Sequence, residues 1–137
     1  MERQVTTAYE PDNYTQVTQE NILAMLLFDE RMALIIRGRI DVGLFDSKVY
    51  ETMAKRAAEY IDEYHAAPGR AHIKDILQDK LKEGSKQANV YQFKLGELEE
   101  LSKVANRDYI LGSLNEFNRH QRMKQASVQG FLSLIHI

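Results

Sequence analysis

Between Val49 and Tyr64 the apolar residues Val49, Tyr50, Met53, Ala57, Tyr60, Ile61 and Tyr64 recur at steps of three, four and seven. Lys48, Glu51, Lys55, Arg56, Glu59, Asp62 and Glu63 fill the positions between them. A period near 3.6 over this length describes one face of an α-helix and excludes a strand, whose faces alternate every second residue. Such a helix buries its stripe only against other elements. The chain supplies them: it has 137 residues and only two prolines, Pro11 and Pro68. So few breakers favour long helices over many short strands. The expected fold is all-α, a compact bundle of about six helices.

The remaining helices are placed by pattern and punctuation. Residues 1–14 contain Pro11 and show no helical period, so they read as a flexible N-terminal arm. Thr15 or Thr18 can cap a first helix to about Phe28, with Ile22, Leu23, Leu26 and Leu27 inward. Asp29 can cap a second, Glu30 to about Arg37, burying Leu34, Ile35 and Ile36. Gly38 and Gly43 bracket a loop from which Leu44 and Phe45 return to the core. The helix of the long stripe has Asp46 or Ser47 as its cap and is expected to run to about Ala66. Pro68-Gly69 breaks the chain. A fourth helix, about Ala71 to Glu83, buries Ile73, Ile76, Leu77 and Leu81 and stops at Gly84. A fifth, about Gln87 to Val104, buries Val90, Phe93, Leu98 and Leu101. Asn106 caps a sixth that continues to about Val128, with Tyr109, Ile110, Leu111, Leu114 and Phe117 inward.

After Phe117 that last helix turns polar, through Asn118, Arg119, His120, Gln121 and Arg122. Loss of the apolar face implies that residues 105–128 form a long helix leaving a body of residues 15–104, projecting as the start of a helical hairpin. Residues 129–137 form an apolar tail. Its Ser-Leu-Ile-His-Ile resembles translated adapter sequence, so the chain is read as non-native from about Phe131 and as the front of a longer protein.

Several function classes are excluded or left without support. There are no cysteines, hence no disulfide, thiolate metal site or cysteine nucleophile. The formal net charge is -2 with 28% charged residues of both signs, which implies no overall attraction to nucleic acid or membrane. No apolar run is long enough to span a bilayer, and the N-terminus lacks a signal-peptide core. A cytoplasmic location is expected. No phosphate-binding loop is present: Gly84-Ser85-Lys86 lacks the first glycine and the following hydroxyl, and no H-E-x-x-H occurs. His65 and His72 flank the Pro68-Gly69 turn without a third ligand in register, so solvated turn histidines are the plainer reading. His120 has no identifiable base or nucleophile beside it. Glu97, Glu99 and Glu100 sit among lysines and read as a solvated face rather than an acid–base pair. Tyr50, Tyr60 and Tyr64 lie on the apolar stripe, which favours core packing over base stacking. The chain is therefore read as non-catalytic. One local asymmetry stands out. Arg107, Arg119, Arg122 and Lys124 outweigh Asp108 and Glu116, and the candidate partner interface is Arg119, Arg122, Met123 and Lys124. Ordinary solvation with cations near a helix C-terminus explains the same residues equally well.

The stretch Gln19-Glu20-Asn21-Ile22-Leu23-Ala24-Met25-Leu26-Leu27 resembles the first helix of the N-terminal domain of DnaB-like replicative DNA helicases. Leu44-Phe45-Asp46-Ser47 followed by the Val49–Tyr64 helix resembles that family's aromatic entry into its long central helix. The Pro68-Gly69 turn with the Ile73–Leu81 helix, and Tyr109-Ile110 through Lys124, resemble the next element and the first hairpin helix. The likeness covers about residues 16 to 128 and rests on order, spacing and apolar type. Tyr50 stands where many relatives carry histidine, and Pro-Gly where Pro-Pro or Ser-Pro is common, which points to a divergent or phage-like member. The resemblance implies a collar domain of a hexameric ring, whose partners are other subunits and a primase or helicase loader. DNA contact by the domain itself would be weak or absent. ATP and Mg would belong to a following ATPase domain, so this chain is expected to hold no cofactor, metal or catalytic residue. The alternatives are a free-standing helical DNA-binding regulator and a generic protein-interaction domain. The mixture of Lys74, Lys80 and Lys82 with Asp75, Asp79 and Glu83 argues against a recognition helix.

Overall fold

The structure, a computed structural model, describes the backbone of residues 10–136 and the side chains of residues 16–127. Among the described residues there are six α-helices, one short 3-10 turn and no strand. The helices are α1 (Glu10–Phe28), α2 (Glu30–Arg39), α3 (Lys48–Tyr64), α4 (Gly69–Ile76), α5 (Ala88–Val104) and α6 (Arg107–His136), with the 3-10 turn at Val42–Leu44. The all-α expectation holds. No helix among the described residues is long and apolar enough to cross a membrane.

α1 is the axis of the molecule. Ile22 through Leu27 are six successive residues at 0% exposure, so this part of the helix is covered on every side. A helix apolar all round belongs in the middle of a bundle, and α1 packs on each of the other five. It starts at Glu10, earlier than the Thr15 or Thr18 cap expected from the sequence. Pro11 is compatible with this, because the first helical turn needs no N–H partner there. Residues 10–14 of the expected arm are therefore helical, and residues 1–9 lie outside the described residues.

Asp29 turns the chain from α1 into α2. Its carboxylate accepts from the backbone N–H of Arg31 (3.1 Å) and Met32 (2.9 Å), as an N-cap should. It also accepts from Arg107 Nε at 2.6 Å, which ties the start of α6 to this corner. α2 buries Met32, Ala33 and Ile36, while Leu34 and Ile35 face solvent. The expected burial of those two was wrong because the three consecutive apolar residues span 200° of helix, more than one face can cover. The helix also runs through Gly38. Leu44 and Phe45 do return to the core, where Phe45 meets Phe117 at 5.5 Å between ring centroids.

Ser47 caps α3, its Oγ accepting from Tyr50 N–H at 3.0 Å. α3 ends at Tyr64 rather than Ala66, because His65 adopts the left-handed conformation (φ 57°) and closes the helix with a bond to Ile61 O. Glycine usually serves there, so the signal was absent from the sequence. Tyr64 is 59% exposed and leaves the stripe. Gly69, at φ 65°, supplies the reversal into α4.

α4 is shorter than expected, ending at Ile76. The Arg56 guanidinium donates to Ile76 O at 2.7 Å and pairs with Asp79 at 2.7 and 3.0 Å. It occupies a carbonyl that a longer helix would use, and the chain turns instead. Leu77 and Ile73 are still buried, and Ile76 and Leu81 are partly so. α5 presents Ala88, Tyr91, Leu95 and Leu98 to the core; of the expected Val90, Phe93, Leu98 and Leu101, Leu98 is buried and Leu101 partly so, while Val90 and Phe93 face outward. Val90 and Phe93 are 48% and 65% exposed.

Candidate interaction surface

α6 begins as the sequence suggests. Asn106 caps it through Oδ1 to Tyr109 N–H at 2.9 Å, and Ile110, Leu114 and Phe117 lock it to the core. Tyr109, expected inward, is exposed. Beyond Phe117 the helix does not leave the body at once. Asn118 Nδ2 donates to Arg39 O at 2.7 Å. Gln121, only 1% exposed, donates to Leu44 O at 2.7 Å and to Asp46 at 2.8 Å. Lys124 pairs with Asp46 at 3.0 Å, and Gln125 reaches Gly43 O at 3.5 Å. The expectation of a projecting helix after Phe117 is corrected here: residues 118–125 are fastened by polar contacts to residues 39–46. Polarity marked a hydrogen-bonded seam rather than a free end. The backbone stays helical past Gly130 to His136, the stretch read as a tail.

Asp46 is the centre of this seam. Besides Gln121 and Lys124 it accepts from Gln19 Nε2 at 3.0 Å, and its N–H donates to Gln19 Oε1 at 2.8 Å. Burial pushes the Asp46 carboxyl up, but hydrogen bonds from Lys124, Gln121 and Gln19 outweigh this and hold it below its ordinary value. α1, α3 and α6 thereby meet at the N-terminus of α3.

Beside it lies a second cluster. Tyr50 donates its hydroxyl to Glu20, Lys94 Nζ approaches the same carboxylate at 3.3 Å, and Gln16 Nε2 donates to it at 3.4 Å. Burial raises Glu20, and the Tyr50, Gln16 and Lys94 contacts overcome this to lower it. Burial and the Glu20 bond both raise the Tyr50 phenol. For Lys94 burial acts downward, while Tyr50 and Glu97 hold its ammonium above its usual range. Every charge in these clusters is met by a partner, the arrangement of a structural network rather than of a reactive group. A cavity of about 750 Å³ separates them, lined by Gln16, Gln19, Asp46, Val49, Tyr50 and Lys94 among others.

The four residues proposed from sequence share α6 but differ in role. Lys124 is committed to Asp46. Arg119 forms an exposed pair with Glu116 on its own helix at 2.6 and 2.8 Å. Met123 is 59% exposed, and Arg122 is exposed beside it. The other candidates take plain structural positions. His65 caps α3, and His72 stacks on Tyr60 at 5.8 Å. Among the described residues no three His, Asp or Glu side chains are grouped as a metal site would need. Glu97 and Glu100 pair with Lys94 and Lys103, and Glu99 with Arg70. Ser85, in the turn, accepts from Gln87 N–H at 3.1 Å near the start of α5.

What the sequence reading missed is the outer face of α5. Val90, Phe93, Leu101 and Val104 line it, and Val104 is 79% exposed. The helical period alone could not choose between this face and the one carrying Tyr91, Leu95 and Leu98, because both are apolar. Compared with known protein families, curated proteins and solved structures, the chain matches none.

Proposed function

We propose that this chain is a non-catalytic helical assembly and docking domain, the N-terminal domain of a DnaB-like replicative DNA helicase. The observation that carries the reading is the order of the elements. A first helix covered on every side from Ile22 to Leu27 is followed by a Leu44-Phe45 return to the core, a Ser47-capped long helix, a Pro-Gly reversal and a long final helix. This is the order the sequence resemblance calls for. The polar networks support a non-catalytic role, because each cation and carboxylate in them neutralises another. In this reading the partners are other subunits and a primase or loader, the setting is cytoplasmic DNA replication, and ATP is used elsewhere in the full protein.

The test is the coding sequence that follows Gln129 in the source DNA. A phosphate-binding loop of the G-x-x-x-x-G-K-[ST] type is expected beyond a linker. A reading frame that stops at once, or that continues into a domain without such a loop, overturns the helicase assignment. The purified chain should not hydrolyse ATP. Hydrolysis abolished by one acidic-residue substitution would refute the non-catalytic half of the reading.

A further inference from the structure

We propose that the outer face of α5 is a docking surface for the distal part of α6 from a second copy of this chain. The surface is a shallow groove of about 880 Å³ along α5, lined by Phe93, Gly96, Leu101 and Val104 and by the carboxylates of Glu97 and Glu100. Glu20 of α1 also lines it; Glu20 and Glu97 are paired with Lys94, and Glu100 with Lys103, in ion pairs at the rim that an incoming cation can share. Phe93 is 65% exposed in the middle of the run, and a Cβ added at Gly96 would meet nothing within 4 Å. A large aromatic and two β-branched residues, Val90, Phe93 and Val104, share one exposed row. From Val90 to Val104 the row extends about 21 Å at the helical rise.

Charge and shape identify the occupant. An apolar row edged by three carboxylates fits a helix that offers one apolar knob beside cations. The chain contains such a helix. On the outer face of α6, Met123 stands next to Arg122 and one turn beyond Arg119, with Ala126 further along the same face. No acidic residue occurs from Phe117 to the end of the chain. Arg119 leaves an exposed pair with Glu116 at little cost, since exposed ion pairs contribute little to stability. Gln121 and Lys124 remain fastened to Asp46 on the opposite side, so α6 is presented as a rigid arm with its basic face outward.

The contact joins two different surfaces, so a pair of copies keeps one groove and one arm unused. Such head-to-tail contacts propagate into rings or open chains instead of stopping at a dimer. One helix laid on one groove falls at the small end of specific interfaces, below about 1,200 Å², so association is read at about 100 μM protein. The proposal rests on the assembly part of the reading above and not on the identity of any following domain. A chain that associates in this way but lacks a downstream phosphate loop would keep the contact and lose the helicase assignment.

The test uses the whole chain in sedimentation velocity. Phe93→Asp and Met123→Asp each substitute an exposed side chain, and an unchanged helical circular dichroism spectrum shows that each variant folds. The wild type is expected to associate with rising concentration, and each variant alone to weaken this more than about tenfold, as loss of an interface anchor does. An equimolar mixture of the two variants should recover a species that stops at the heterodimer, because only one groove and one arm remain functional. The absence of native cysteine permits a second measurement. Phe93→Cys mixed with Met123→Cys should form a disulfide between the two variants. A wild type that stays monomeric overturns the proposal. So does disulfide formation within Phe93→Cys alone or within Met123→Cys alone in preference to the mixture, which would place α5 on α5 or α6 on α6.

Discussion

Replacing Gln121 by alanine removes the most buried link in the seam between α6 and residues 39–46. Two hydrogen bonds are lost. The bond to Leu44 O is between neutral groups, worth about 0.5–1.5 kcal/mol net, and the bond to Asp46 has a charged acceptor, worth about 1.5–3 kcal/mol. The second belongs at the low end, because the Asp46 side chain is 41% exposed. In the other direction, Gln121 Oε1 is buried without a partner, and its removal returns about 1 kcal/mol. The net expectation is a loss of about 1–2 kcal/mol in chemical denaturation. Amide exchange locates the loss. In the wild type the amides of residues 119–125 exchange slowly, since their helix is held to the body. In Gln121→Ala they exchange at least about tenfold faster, the equivalent of about 1.4 kcal/mol. A loss below about 0.5 kcal/mol with unchanged protection refutes the seam as the element that holds α6. Unprotected wild-type amides in this segment refute it equally, and restore the picture of a helix that projects from Phe117 onward.

Two further outcomes follow from the core and from the paired carboxylates. Met53 is 0% exposed, so Met53→Ala should cost about 2–5 kcal/mol in urea denaturation, and a cost within about 0.5 kcal/mol would remove it from the core. Glu20, Asp29 and Asp46 all lie below their ordinary values of 4.5, 3.8 and 3.8 when folded. Groups lowered in this way contribute stability above the unfolded-state value and lose it as pH falls through the folded-state value. Wild-type stability should therefore be level above about pH 5 and decline below about pH 4.5. Asp29→Asn should start less stable and decline less steeply in that window, and parallel curves for the two proteins would show that Asp29 titrates alike in both states.

The long stripe of α3 was legible because one apolar face alternates with charged residues, leaving a single way to bury it. The caps Asp29, Ser47 and Asn106 were legible for a local reason: each side chain bonds a backbone N–H within three residues. α5 was legible as a helix but not in its orientation, since Val90-Phe93-Leu101-Val104 and Tyr91-Leu95-Leu98 are two apolar faces of one segment. The early ends of α3 and α4 depend on a histidine in the left-handed region and on an arginine 20 residues away, neither of which leaves a local signal.

The sequence by itself determined that the chain is helical, where most helices begin, and that no phosphate loop or cysteine chemistry accompanies them. These are properties of period, capping and residue type, which act over a few neighbouring residues. Only the tertiary structure decided which face of α5 is covered and what becomes of the polar half of α6. Asn118, Gln121 and Lys124 read as solvent-seeking residues in isolation. They are held inward because Arg39, Leu44 and Asp46, 75 or more positions away in the chain, offer two carbonyls and a carboxylate at the height of their side chains. A buried polar residue is stable only where such partners converge, and their convergence is set by the packing of α1, α2 and α3 beneath them.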